Sequence, residues 1–247
     1  MKQPHILCQP DQVAPQVLLP GDPARVLRVA DFLDEWKEIA FNREFRTITG
    51  TYRGMPVTVT STGIGGASAA IAVEELAACG VRTMIRIGSA GAVQAGIAIG
   101  DLIIAQGAVR EDGASRMYVP EAYPAVASPR LTLALEDACF KLAIPWHSGL
   151  VRSHDSFYID EEAAIMAQWN RKGVLGSDME TAAVLTVARL RGVEAAAILN
   201  NVVLYEGDVK EGVGEYVDET TAAAEGEKRE IQVALEALYH SCEDSKP

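Results

Sequence analysis

The sequence predicts an α/β fold, a single domain whose central mixed β-sheet is flanked by helices on both faces. Apolar runs of strand character alternate with stretches of helical spacing along the chain. A length of 247 residues suffices for one large core. No linker, low-complexity tract or internal repeat interrupts it, so residues 1–247 read as one domain.

In order, "QVLLPGDP" (16–23) is a short apolar run that ends in a Pro/Gly turn, a strand followed by a loop. "ARVLRVADFL" has helical spacing. "FRTITGTYRGMPVTVTST" reads as a hairpin that turns at "YRGMP". "ASAAIAVEELAACG" (67–80) is a helix closed by Gly80. "VRTMIRIGSAGAV" is a buried strand running into a glycine loop, and "GDLIIAQGAV" is another strand. "SPRLTLALEDACFKLA" is a helix, with Ser128 and Pro129 as cap and first turn. "HSGLVRSHDSFY" is a strand then a loop, and "EEAAIMAQWNRKG" and "DMETAAVLTVARLRG" are helices. "EAAAILNNVVL" is a late strand, "YEGDVKEGVGEYVDE" an acidic loop or lid, and "EGEKREIQVALEALYHS" an amphipathic closing helix.

Composition narrows the function classes. Hydrophobic residues make up 49% and charged residues 23%, as in soluble globular proteins. The net charge is −12 and no Lys/Arg block is present, which argues against nucleic acid and anionic membranes as partners. The four cysteines form no CxxC pair and no zinc-spaced cluster, so no metal is expected. Cys79 lies in an apolar helical stretch as a small core residue. No leader-like or membrane-spanning apolar run is seen, and a cytoplasmic location is expected.

On so acidic a chain, arginines beside glycines are informative. Two stretches combine them, "PGDPARV" with Gly21 and Arg25 and "IRIGSAG" with Arg86 and Ser89, and a third, "NREF", offers Arg43. Glycine permits close backbone approach, and an arginine fork matches phosphate oxygens. Neither glycine loop is a Walker A or dinucleotide fingerprint. Arg86 lies inside an apolar strand. It needs an acidic partner there, or it reaches the strand's carboxyl end where α/β folds bind ligands. Glu180 poses the matching question in "GSDMETAAVL" (176–185): it is either a solvated acid at a helix start or a buried carboxylate with a task.

These stretches, in this order, resemble the hexameric nucleoside phosphorylases, the family of bacterial uridine phosphorylase and purine nucleoside phosphorylase. The resemblance rests on "PHI", "PGDPARV", "NREF", "STGIGGAS" with "IAVEEL", "RIGSAGAV", "VREDGAS", "SHDSFY" and "SDMETAAV", which span nearly the whole chain. It implies phosphorolysis of a nucleoside to free base and ribose 1-phosphate, with inorganic phosphate as co-substrate and no required cofactor. It implies that Gly21, Arg25, Arg86 and Ser89 hold phosphate, and that Met179 and Glu180 hold ribose. Phe157 lies against the base. Arg43 and His5 complete the neighbouring subunit's site. The assembly implied is a homo-oligomer, a hexamer built as a trimer of dimers. Glu44, Ile64 and Ser68 match the places where a monovalent cation sits at a dimer interface in uridine phosphorylases.

The base is where the pattern divides. Uridine phosphorylases grip uracil with a Gln and an Arg after the "FY" pair, and Glu161 and Ala163 stand there instead. The short spacing from Tyr158 to Met179 resembles the purine enzymes, whereas Asn200 replaces their acid after the late strand, as in uridine enzymes. An amide can hydrogen-bond but cannot act as a general acid. Glu206 or Asp208 is an alternative acid. The expected substrate is a purine nucleoside, with uridine as the alternative. A nucleosidase is opposed by the phosphate-type arginines, and an inactive nucleoside-binding homologue is left conceivable by Asn200.

Overall fold

The apolar runs "QVLLP" and "TMIRIG" are buried on both faces, which is why they carry no polar alternation. They pair in parallel as β1 (Gln16–Pro20) and β5 (Thr83–Ala92), with Leu18 opposite Ile85 and Leu19 opposite Arg86. The computed structural model of the chain describes residues 1–207 and 222–243. Its remaining strands are β2 (Glu35–Asn42), β3 (Phe45–Tyr52), β4 (Met55–Thr60), β6 (Leu102–Glu111), β7 (Ala125–Val126), β8 (Trp146–His154), β9 (Gly176–Asp178) and β10 (Glu194–Val203). The α-helices are α1 (Pro23–Ala30), α2 (Gly66–Ala78), α3 (Gly113–Tyr118), α4 (Pro129–Leu142), α5 (Glu162–Asn170), α6 (Thr181–Leu190) and α7 (Ala222–Glu243).

One mixed sheet runs β2-β3-β4-β1-β5 and continues through β9, β8, β6 and β10. β10 then pairs in parallel with β5, so that β5, β9, β8, β6 and β10 close into a ring. Closure removes the sheet edge at β10, leaves β2 as an edge, and gathers the carboxyl ends of β1, β5 and β10 at one end. Helices α2 and α6 pack on each other, and α4 packs on α7. The core joins Leu18, Leu19, Ile85, Ile87, Ile198 and Leu235.

The mixed α/β fold with flanking helices is as expected, while short helix α3 and strands β7 and β9 were not read from the sequence, and three larger features also depart. The ring was not anticipated, because pairing between β5 and β10 leaves no local pattern. Strand β2 was missed because it lies at the sheet's edge and is mostly exposed, so it lacks the apolar alternation of a half-buried strand. Helix α6 starts at Thr181, later than the expected "DMETAAV" start, because Asp178 accepts hydrogen bonds from the Thr181 amide and hydroxyl. The acidic segment expected as a lid lies, from Asp208 to residue 219, outside the described residues.

Candidate active site

Arg86 stands in the middle of the sheet, opposite Leu19 on one side and Ala197 on the other. It is only 2% exposed, so its charge requires fixed partners. Its Nε donates to Asp178 Oδ2 at 3.0 Å and its Nη2 to Glu180 Oε2 at 2.6 Å. Gly88 makes this possible, since a Cβ there would lie 2.5 Å from Nη2. The third nitrogen, Nη1, is buried and meets no acceptor among the described residues. A buried guanidinium held by two carboxylates, with one nitrogen unsatisfied, is suited to bind a further acceptor.

Both carboxylates are themselves anchored. Asp178 accepts from Ser153 Oγ at 2.5 Å as well as from Thr181. Glu180 is the N-cap residue of α6, and its Oε1 accepts from the Gly65 amide at 2.6 Å. Gly65 opens α2, whose dipole favours negative charge at that end. Burial pushes the Glu180 carboxyl above the usual range and Asp178 adds to this, while Arg86 and the Gly65 amide pull it down. Both close neighbours are donors, the arrangement of an ionised carboxylate. Burial also opposes the Arg86 charge, but Glu180 and Asp178 outweigh it and raise its pKa. Glu180 is therefore a buried, anchored acid and not a solvated one.

Arg25 enters from α1. Its Nη2 donates to Ser89 Oγ at 2.9 Å and its Nε to Glu227 Oε2 at 2.7 Å. Its Nη1 meets Ile87 O at 3.3 Å and Glu230 Oε2 at 3.4 Å. Gly21, just past β1, accepts from the Gly63 amide at 2.9 Å. Arg25, Arg86, Ser89 and Glu180 thus gather at the carboxyl ends of parallel strands, where α/β sheets bind ligands. Met179 is half-buried beside Glu180. Phe157 follows β8, is 37% exposed and packs edge-on against Tyr158 with ring centroids 5.0 Å apart.

A second group lies on the other side of the 61–66 loop. His5 Nδ1 meets Glu75 Oε1 at 2.5 Å, and the His5 and Ile6 amides donate to the same carboxylate. Asn42 Nδ2 donates to His5 O at 2.8 Å, which ties the amino-terminal segment to the turn that carries Arg43. Arg43 is exposed, adopts φ +55° and forms no ion pair among the described residues. Ser68 Oγ donates to Glu44 Oε1 at 2.7 Å, and this bond is the main reason the Glu44 carboxyl sits below its usual range. Ile64 is 80% exposed next to them.

Asn200 is fully buried and pairs in register with Ser89. Its Nδ2 donates to Ala223 O at 2.7 Å, and a Cβ on Gly226 would lie 2.1 Å from its Oδ1. In this geometry the amide braces the start of α7. Glu206 is exposed, and Asp208 lies outside the described residues. Among the described residues no cluster of His, Cys, Asp or Glu is placed to hold a metal, and no helix is long and apolar enough to cross a membrane. Sequence reasoning missed Asp178, Glu75, Glu227 and Glu230. Asp178 was legible as the residue before Met179 in a quoted motif, and the α7 pair as acids on the buried face of an amphipathic helix.

Residues 15–235 match the family described as the phosphorylase superfamily. The chain belongs to this superfamily. Uridine phosphorylase of Thermococcus kodakarensis is 48% identical over 208 residues, covering 79% of this chain and 75% of that protein. Guanosine phosphorylase of Halorubrum lacusprofundi is 42% identical over 201 residues, covering 80% and 81%. Among solved structures, uridine phosphorylase from Vibrio fischeri complexed with 6-hydroxy-1-naphthoic acid aligns with a TM-score of 0.91 at 47% identity over 97% of each chain. Purine nucleoside phosphorylase from Toxoplasma gondii in complex with immucillin-H aligns at 0.89 and 32% identity, covering 99% of this chain and 98% of that one. The family resemblance read from the motifs therefore holds. The phosphorylase is an enzyme that takes inorganic phosphate as co-substrate.

Proposed function

We propose that this phosphorylase is a uridine phosphorylase that converts uridine and phosphate to uracil and ribose 1-phosphate. The observation that carries the reading is the buried Arg86, held by Asp178 and Glu180 with Nη1 unsatisfied. Arg86, Arg25, Ser89 and the Gly21 backbone hold phosphate beneath C1′. Glu180, aided by Met179 packing on the sugar, accepts from ribose hydroxyls and opposes the positive charge that develops on the ring. Phe157 lies against the base. His5 and Arg43 complete the site of a neighbouring copy in a homo-oligomer, a trimer of dimers. Their joint anchoring through Asn42 supports this, because one rigid unit carries both. Glu44, Ile64 and Ser68 are the candidate place for a monovalent cation at that interface. Residues 1–247 act as one domain.

The expected preference for purine nucleosides gives way to the alternative. The relatives named as uridine phosphorylases, 48% identical in Thermococcus kodakarensis and 38% in Escherichia coli, support uridine better. Chemistry agrees, since Asn200 offers no proton for a purine leaving group, whereas uracil can depart as an anion stabilised by hydrogen bonds. The guanosine phosphorylase relative, at 42% identity, keeps guanosine in the comparison. The test is an assay of uridine, inosine, adenosine and guanosine, each with and without phosphate. The proposal requires phosphate-dependent release of uracil with the highest kcat/KM. Faster release of guanine would return the assignment to purines, and release without phosphate would make the enzyme a nucleosidase.

A further inference from the structure

Two carboxylates from α7 crowd the phosphate arginines, and the chemistry above gives neither a task. Glu227 holds Arg25 Nε at 2.7 Å and also binds Arg28. Glu230, fully buried, accepts from the Gly88 amide at 2.7 Å through Oε1 and stands 3.4 Å from Arg25 Nη1 through Oε2. Among the described residues, Asp178, Glu180, Glu227 and Glu230 lie around Arg25 and Arg86, four carboxylates against two guanidinium groups. Arg28 at the rim is matched by Asp22. When Glu230 is ionised as well, these groups remain net negative even with Arg43 from a neighbouring copy, before a phosphate anion arrives. Bringing that anion in requires a compensating positive charge.

We propose that phosphate binding delivers a proton from solvent to Glu230 Oε2, so that Glu230 sets how phosphate affinity depends on pH. Oε1 accepts the short bond from the Gly88 amide, whereas Oε2 accepts only the long, weak contact from Arg25, so Oε2 is the oxygen that a proton costs least to occupy. The groups facing Glu230 are Arg25 from α1, Gly88 and Arg86 from β5, and Glu227 from its own helix. Burial pushes the Glu230 carboxyl up to about 8, with Glu227 adding to the rise against Arg25, the Gly88 amide and Arg86. Below that value the proton is already present. Above it Glu230 is ionised in the free enzyme, and an incoming anion raises its pKa further, so binding takes up a proton. Phosphate affinity then falls with rising pH, by up to about tenfold per unit.

This inference rests on the assignment of Arg25, Arg86 and Ser89 to phosphate. The experiment measures phosphate KM for wild type and Glu230→Gln from about pH 6.5 to about pH 9.5, together with calorimetry of phosphate binding in buffers of different ionisation enthalpy. The ratio of the two KM values cancels the titration of phosphate itself and of other shared groups. It should be flat below about pH 8 and climb up to about tenfold per unit above it, with wild type taking up more protons than the variant. Equal slopes and equal proton uptake overturn the proposal. If Glu230→Gln does not assemble, Glu230→Met replaces it in the same comparison. Arg86→Ala separates the two layers. Phosphate use that survives Arg86→Ala overturns the site itself, whereas its loss alongside equal Glu230→Gln slopes overturns only the proton coupling.

Discussion

The two halves of the candidate site are built in opposite ways. Around Arg86 the side chains are almost closed to solvent, with 3% exposure for Arg86, 1% for Asp178 and 8% for Glu180, and the charges are paired within the chain. Around His5 and Arg43 the backbone is anchored but the working groups face outward, with the His5 side chain 37% exposed. The difference shows how each half responds to loss. A buried charge is held by partners that are themselves buried, so removing it disturbs folding and chemistry together. An exposed group on an anchored segment can be removed with little effect on the fold, so its role appears only in activity.

The largest effect is expected at the buried half. Arg86→Ala leaves Asp178 and Glu180 facing each other without their cation, and breaking such a buried pair costs about 3–5 kcal/mol. For a chain of this size that lowers Tm by roughly 6–20 °C. The requirement for phosphate should rise far more than nucleoside binding weakens, which a phosphate titration reads directly. An unchanged half-saturation and rate would sink the assignment.

Glu180→Gln comes next and sharpens the comparison, because it keeps the shape of the buried half and changes only charge and donor pattern. The loss of a charged hydrogen bond in a closed site is about 2–4 kcal/mol, or roughly 30- to 1000-fold in kcat/KM. The defect should shrink with 2′-deoxyuridine, which lacks one of the hydroxyls. Kinetics on both nucleosides check this, and a near-normal rate on uridine in an intact assembly would remove Glu180 from the sugar.

The exposed half is tested by mixing. Arg43→Ala should impair phosphate use while leaving Tm within about 2 °C of wild type, as expected for a substitution of an exposed residue. Mixed oligomers of inactive Arg43→Ala and inactive Glu180→Ala subunits should regain activity in sites that draw both intact residues. If such oligomers form and remain inactive, each subunit's site is self-contained.

The smallest effect is expected where the two kinds of construction meet. Glu75 is buried yet serves the exposed half by accepting from the His5 ring and two backbone amides. Glu75→Gln keeps the volume and loses the charge assistance, a change of about 1–2 kcal/mol. Nucleoside KM should rise several-fold with phosphate KM nearly unchanged. An equal rise in both would make Glu75 a general structural residue.

Much of this is legible in the sequence. Arg86 inside "MIRIG" demanded a counter-charge because an unpaired buried guanidinium is untenable, and Glu180 among apolar neighbours raised the same demand from the other side. That each answers the other, 94 residues apart, was not legible. Strand β2 escaped notice because an exposed edge strand lacks the alternation that a half-buried one must have. The late start of α6 was hidden in Asp178, whose side chain replaces the helix's own acceptors.

The sequence by itself determined the order of strands and helices, the glycine and arginine stretches at strand ends, and the motif set that marks the superfamily. Periodicity, turn chemistry and short motifs are local, so they can be read along the chain. Tertiary structure alone decided which acids meet which arginines. Glu227 and Glu230 reach Arg25 across 202 and 205 residues, and Asp178 reaches Arg86 across 92. The pairing of β10 with β5, which closes the ring and sets Asn200 beside Ser89, is equally non-local. Such contacts depend on the register of distant strands and on how α7 packs over them, and no window of neighbouring residues encodes either.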